Sequence, residues 1–373
     1  MTTIPIPLPH TPYEVQIGTG ILSSCGKSIR AACGEGRCVL ITDSNVAPLY
    51  AETVERSLAD AGIRVACTLV VPAGEASKSL SQAESLCNAL VGAGLDRSSF
   101  LVALGGGVVG DLAGFVAAIY YRGIPFCQIP TTLLAQVDSS VGGKTGVNIA
   151  AGKNLVGSFH QPRLVIADTA TLAPLPRREF AEGMAEIIKH GAIADPSLVD
   201  EAVELSRRDR KTLVARNVAI KADVVVSDEH ETRGRRVFLN FGHTLGHALE
   251  LLAGYGSLLH GEAVALGMVA ALELSVARTG LPRSEADRVL AALRDAGLPT
   301  YLGRDDEDNG DNGDARDVSC KCAQRFEADT LISAMSSDKK FAAGKRNFVL
   351  LERLGKPVVC DCITDADIKA ALT

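Results

Sequence analysis

The sequence has no excess of positive charge: 38 Lys and Arg against 44 Asp and Glu leave a formal net charge of −6. That balance argues against nucleic acid as a partner, although an acidic protein can still carry a locally basic site for an anionic substrate. The first ten residues, Met1 to His10, show no basic segment followed by an apolar one, so no signal peptide is expected. No uninterrupted apolar run approaches the roughly 18 residues of a membrane span, and a cytoplasmic protein is expected. The ten cysteines include no C-x-x-C pair. Cys320/Cys322 and Cys360/Cys362 are spaced C-x-C, which leaves a structural zinc, a redox-sensitive pair and incidental thiols all open.

What is present is ordinary for a globular protein: 373 residues, 47% hydrophobic and 22% charged. That length suggests two domains. From Val39 to Leu104, short β-rich runs alternate with helical ones: strands at Val39–Asp43, Val65–Val71 and Phe100–Leu104, helices over Pro48–Ala61 and up to Val91, the latter ended by Gly92. Such alternation predicts a Rossmann-like parallel sheet with helices on both faces and ligands at the strands' carboxyl ends. Asp43, Glu75, Lys78, Gly107, Val108, Val109, Gly110, Asp111, Thr131 and Thr132 all fall at such ends. Beyond about residue 178 the β-rich runs give way to long helices. The expected division is therefore 1–178, an α/β nucleotide-binding domain, and 179–373, a mainly α-helical domain.

The organising stretch is Gly105 to Asn154. A strand ends in three glycines, and a helical segment follows. Gly105, Gly107 and Gly110 spell G-x-G-x-x-G, suited to a phosphate at a helix N-terminus. The acidic residue usual about 20 positions later is missing, because Ile124–Pro130 stands there. From the loop alone, a turn required only for packing stays open. Pro130-Thr131-Thr132, Asp138-Ser-Ser-Val-Gly-Gly-Lys144-Thr-Gly146 and Lys153-Asn154 then add a polar, glycine-rich loop fit to wrap an anionic ligand.

Metal-ligand candidates sit in predicted helices. Glu186 and Lys189 are three apart, His243 and His247 four apart with Asn240 three before, and His260 opens another helix. One oxygen ligand with two imidazoles would leave zinc an open position. Spacing alone favours His243 with His247 as the imidazole pair.

Gly105–Asn154, Pro176-Arg-Arg-Glu-Phe-Ala-Glu-Gly-Met-Ala-Glu-Ile-Ile-Lys189 and Asn240-Phe-Gly-His-Thr-Leu-Gly-His247 together resemble the 3-dehydroquinate synthases of the shikimate pathway. The likeness runs over about residues 12–300 and 331–356. It implies NAD and Zn2+ or Co2+ as cofactors, no nucleic-acid or membrane partner, and a homodimer. It implies Glu186, His243 and His260 as metal ligands, moving His247 to the substrate phosphate. Lys144, Asn240, Lys339 or Lys340, and Arg122 from a neighbouring subunit would join it there. Lys221 and Arg236 would meet the substrate carboxylate, and Asp138, Asn154 and Lys189 the ring hydroxyls. Lys144, Lys153, Thr171 and Leu172 would join the nucleotide rim. The implied reaction on 3-deoxy-D-arabino-heptulosonate 7-phosphate is transient oxidation by NAD, phosphate elimination, return of the hydride and an intramolecular aldol closure.

Two departures stand out. The chain is one residue longer between Glu231 and Arg236, so Arg233 and Arg235 compete with Arg236 for the carboxylate. Asp305–Asp317 is an acidic insertion that lacks the spacing of a calcium loop and reads as a solvated loop. The alternatives are a sedoheptulose 7-phosphate cyclase, which would not need Lys221 and Arg236 together, and a metal-dependent alcohol or glycerol dehydrogenase, which would not need the cations around Lys144.

Overall fold

The computed structural model describes residues 1–254, 257–301, 326–336, 341–342 and 345–372. They form two compact units, Met1–Leu175 with Arg210–His230, and Pro176–Asp209 with Glu231–Thr373.

The first unit is built on a seven-stranded sheet. In chain order its elements are β1 (Thr2–Ile6), β2 (Tyr13–Gly18), α1 (Cys25–Cys33), β3 (Arg37–Asp43), α2 (Ala47–Asp60), β4 (Arg64–Val71), α3 (Leu80–Gly92), β5 (Phe100–Gly105), α4 (Gly107–Ile119), β6 (Phe126–Pro130), β7 (Lys144–Ile149), β8 (Gly152–Phe159) and β9 (Leu164–Asp168). The sheet order is β1-β2-β9-β6-β5-β3-β4. Only β1 runs antiparallel to its neighbour. Side-chain alternation along β3 feeds both faces: Val39 and Ile41 pack into the core under α3 and α4, while Cys38 and Leu40 pack into the core under α1 and α2. The chain moves outward from β3 to β4 and then returns to β5 on the other side of β3. That reversal places the ligand crevice at the carboxyl ends of β3 and β5.

Two local expectations change. The positive φ that closes α3 belongs to Gly94 (69°), because the helix runs through Gly92 to a C-cap at Ala93. The segment 138–146, expected as a loop, starts in a π-helical turn (Ala135–Ser139) and continues into the β7–β8 hairpin. Close packing at this hairpin rests on a glycine of α4: a Cβ on Gly114 would stand 2.5 Å from Thr145 Cγ2.

The second unit begins with α5 (Arg177–Ala194) and α6 (Pro196–Arg208). The chain then returns to the first unit as α7 (Arg210–Ser227), an excursion that a single division at 178 does not contain. It re-enters the second unit with α8 (His243–Ala253), α9 (His260–Arg278), α10 (Arg283–Asp295), α11 (Ala328–Ser336), the small pairs β10 (Phe341–Ala342) with β11 (Lys345–Arg346) and β12 (Phe348–Arg353) with β13 (Lys356–Cys360), and α12 (Asp365–Ala371). Helix α9 is long and apolar enough by composition to cross a membrane, but 78% of that window is buried inside the protein.

Glycine decides how closely these helices meet. A Cβ on Gly267 of α9 would lie 1.8 Å from the Gly242 carbonyl oxygen, and one on Gly261 would lie 2.3 Å from the Glu182 carbonyl oxygen of α5. Only hydrogen at those positions lets α9 lie against both α5 and the start of α8. The eight described cysteines are free thiols, with Cys360 and Cys362 sulfurs 3.0 Å apart. The acidic run 305–317, Cys320, Cys322, Lys339 and Lys340 lie outside the described residues.

Candidate active site

In the second unit, three helices bring three donors together. Glu186 is fully buried on α5, and His243 and His260 are the first residues of α8 and α9. Glu186 Oε1 stands 3.7 Å from His243 Nε2 and 3.6 Å from His260 Nε2, and the three ligand atoms all lie within 4.8 Å of one another. Donors about 2.1 Å from a tetrahedral zinc are about 3.4 Å apart, so these separations suit an ion and are too long for hydrogen bonds. The far ring nitrogens are held as well. His243 Nδ1 donates to the Phe241 carbonyl (3.2 Å), and His260 Nδ1 donates to Glu250 Oε2 (3.0 Å). In their neutral forms both imidazoles would therefore carry the lone pair on Nε2.

The two imidazoles sit in opposite fields. Burial alone would depress His260, but the Glu250 and Glu186 carboxylates override it and lift the imidazole to about 10. His243 is held well below its ordinary value, first by burial and then by the Lys189 ammonium. Lys189 is buried and donates to Glu186. The start of α9 is fixed by Glu262, which accepts from Leu259 N–H (2.9 Å) and from Arg178 Nε and Nη2 (2.6 and 2.7 Å). Arg178 lies in the first turn of α5, so one bidentate pair ties together the helices that carry Glu186 and His260.

Asn240 does not share a helical face with His243 and His247. It ends a 3-10 turn (Arg236–Asn240), and Gly242 at φ 79° breaks the backbone before α8 begins. The His243 and His247 rings do lie on one face of α8, with centroids 5.4 Å apart. Among the three competing arginines, Arg236 is 3% exposed, whereas Arg233 and Arg235 are exposed.

In the first unit, Gly106 caps α4 and Gly110 N–H makes its first intrahelical bond, to Gly106 C=O (3.1 Å). The amides of Gly107, Val108 and Val109 thus face the end of the helix, as an anion requires. A Cβ on Gly106 would meet Thr132 and one on Gly107 would meet Ser139, each at 3.0 Å. Gly110 has a packing role too, since a Cβ there would stand 2.7 Å from Gln128 Oε1. Thr131 Oγ1 and Thr42 Oγ1, at the ends of β6 and β3, are buried without a hydrogen-bond partner among the described residues. Buried hydroxyls in that condition are what a polar ligand would satisfy. Thr42 gave no signal in the sequence beyond its place beside Asp43.

Around this loop, Lys78 Nζ donates to Asp111 Oδ2 (2.6 Å) and Asn148 donates to Glu75 (2.7 Å). Burial raises the Asp111 carboxyl, and Lys78 opposes that rise. Asp43 Oδ1 accepts from the amides of Asn45 and Val46. Thr171 and Leu172 are buried, and the Thr171 hydroxyl is bonded to Asp168 C=O and to Gln136. Lys221 on α7 meets Asp138 twice, at Oδ1 (2.7 Å) and at the carbonyl (2.5 Å). Lys144 is exposed at the start of β7, and Lys153 and Asn154 follow on β8, Asn154 at φ 53°. Arg122 is exposed at φ 67°, next to Tyr121 at φ 49°.

Comparisons with known proteins show the family. The family described as 3-dehydroquinate synthase N-terminal matches residues 68–182, and 3-dehydroquinate synthase C-terminal matches residues 183–341. The chain belongs to the 3-dehydroquinate synthase family. It is 47% identical over 380 residues to a 3-dehydroquinate synthase of Rhodospirillum rubrum, covering 100% of this chain and 94% of that one. It is 45% identical to that of Caulobacter vibrioides, covering 99% and 98%. Among solved structures it resembles the 2-epi-5-epi-valiolone synthase ValA of Streptomyces hygroscopicus, which has NAD+ and Zn2+ bound (28% identity, TM-score 0.83, 96% of this chain and 95% of that one). A 2-deoxy-scyllo-inosose synthase complexed with carbaglucose-6-phosphate, NAD+ and Co2+ has 25% identity and the same TM-score, covering 100% and 99%. In dehydroquinate synthase terms, Glu250, Glu262 and Arg178 were missed in the sequence. Glu250 could have been found, because it falls on the helical face of His243 and His247, at i, i+4 and i+7.

Proposed function

We propose that the chain converts 3-deoxy-D-arabino-heptulosonate 7-phosphate to 3-dehydroquinate and phosphate, as a phosphate-eliminating lyase of aromatic amino acid biosynthesis. The reading rests on the convergence of Glu186 with His243 and His260 in a chain that matches dehydroquinate synthases along its whole length. NAD and a divalent metal, Zn2+ or Co2+, are its cofactors. When bound, the nicotinamide supplies a reversible hydride acceptor and the metal a Lewis acid that acidifies the hydroxyl to be oxidised.

The chain's own residues bind and orient. Glu186, His243 and His260 hold the metal. The first-turn amides of α4, with Thr131, Thr132 and the Glu75, Lys78 and Asp111 group, hold the dinucleotide, and Asp43, Lys144, Lys153, Thr171 and Leu172 complete its rim. Lys221 and Arg236 take the substrate carboxylate. Both are buried, where a charge interacts more strongly than in water. Lys144, Asn240, His247 and Lys339 take the phosphate, with Arg122 contributed across a homodimer. The exposure and strained backbone of Arg122 suit a residue used by a neighbour. Asp138, Asn154 and Lys189 take the ring hydroxyls. Asp138 and Lys189 are already fixed in charge pairs, so they need little reorganisation when substrate binds. A cytoplasmic location is part of this proposal.

The test is phosphate release from the heptulosonate 7-phosphate with sub-stoichiometric NAD, followed alongside NADH absorbance, with and without a chelator. Chelator-sensitive release with no net NADH supports the reading, because the hydride must then return within each turnover. Accumulating NADH on a simple alcohol would make the chain a dehydrogenase. Turnover of sedoheptulose 7-phosphate alone would remove the carboxylate role of Lys221 and Arg236.

A further inference from the structure

We infer that Glu250 is a positioning residue for the metal ligand His260, and that it acts through the imidazole without touching the ion. The inference rests on Glu186, His243 and His260 being the metal ligands. Glu250 lies on α8 and is 6% exposed. Its Oε2 is 3.0 Å from His260 Nδ1, and His260 Nε2, on the other side of the ring, faces Glu186 Oε1 at 3.6 Å. An ionised carboxylate can only accept, so in the neutral ring, the form that ligates a metal, this contact places the proton on Nδ1 and leaves the lone pair on Nε2.

The two histidines are supported unequally. His243 Nδ1 meets a neutral backbone carbonyl, that of Phe241, whereas His260 Nδ1 meets an anion. A carboxylate partner raises the basicity of the imidazole and so its strength as a ligand. The contact also crosses between helices: Glu250 and His243 belong to α8, and His260 to α9. It therefore sets the His260 ring relative to the helix that carries the other imidazole. A carboxylate buried this deeply is costly unless it is paired, and here its partner is a ligand of the site.

The experiment is metal affinity, read by competition with a chromophoric chelator, for the wild type, Glu250→Ala, Glu250→Gln and the control His260→Ala. The Co2+ visible spectrum of each protein is recorded as well. Glu250→Ala should weaken Zn2+ binding about 10- to 100-fold, the usual effect of losing such a partner. It should also shift the Co2+ bands, which a merely structural role would leave in place. Glu250→Gln keeps an acceptor oxygen and loses the charge, so it should fall between Ala and wild type, and it carries the test if Glu250→Ala does not fold. Affinity within twofold of wild type in both Glu250 variants, with unchanged Co2+ bands and metal lost from His260→Ala, would overturn the inference and leave the ligand set standing. Full metal affinity in His260→Ala would overturn the ligand set, and the inference with it.

Discussion

His260 and Glu186 reach each other from the first residue of one helix and the middle of another, and Nε2 and Oε1 stop 3.6 Å apart. That spacing would suit two ligands of one ion. Replacing either residue, as Glu186→Gln or His260→Ala, should lower bound zinc from one equivalent to a small fraction, measured by elemental analysis. Phosphate release should fall on the order of 10²–10³-fold or more, as expected when a main electrostatic element of a reaction is removed.

Gly267 and Gly242 make a second kind of close approach, because a Cβ on Gly267 would overlap the Gly242 carbonyl. Gly267→Ala should destabilise the protein by about 1–3 kcal/mol or prevent folding, since overpacking against backbone has no side chain to move aside. Gly92→Ala is the control. It lies in α3 with nothing within 4 Å of its Cβ position, and should stabilise by about 0.5–1 kcal/mol. Thermal melts of the two variants check both signs.

Lys221 should show itself in substrate choice. Lys221→Met should raise KM for the heptulosonate 7-phosphate on the order of 10-fold or more, the scale of losing a charged hydrogen bond of about 1.5–3 kcal/mol. Binding of a substrate analogue without the carboxylate should change much less. Equal losses for both compounds would assign Lys221 to supporting Asp138 instead.

Asp367 gives a pH window far from the site. Its carboxyl is lowered to about 2, first by the Arg278 guanidinium and then by the capping bonds from the Thr364 amide and hydroxyl. A carboxylate depressed in the folded state stabilises fully above the ordinary value of 3.8, and that support is lost as pH falls towards 2. Amide exchange in Asp365–Ala371 should therefore quicken across that interval, beyond the intrinsic pH dependence of exchange. Asp367→Asn should show the faster exchange already above it.

Much of this was legible from local pattern. The strand–glycine–helix order at Phe100–Ile119 follows from periodicity and from glycine at the turn, and the observed β3, α2, β4 and α3 begin or end within a residue or two of the expected places. At 138–146 only the last residues, from Lys144, enter a strand, that of the β7–β8 hairpin; small polar residues suit a tight hairpin as well as a loop, and composition alone does not separate the two. Asn240 misled because one left-handed glycine, Gly242, resets a helical face that spacing would carry through.

By itself the sequence determined the family, the alternating first half and the helical character of the second, because those depend on residue type and local order; spacing pointed to His243 with His247, and only the family resemblance put His260 with Glu186 and His243. Only the tertiary structure decided that α7 folds back into the first unit, that Arg236 is the buried arginine of its cluster, and that Glu250 meets His260 and Arg178 meets Glu262. Those outcomes depend on contacts between segments distant along the chain. Helical spacing puts Glu250 on the face of His243 and His247, but its partner His260 lies ten residues further on in another helix, and Arg178 lies 84 before Glu262, separations over which no helical or strand period carries information.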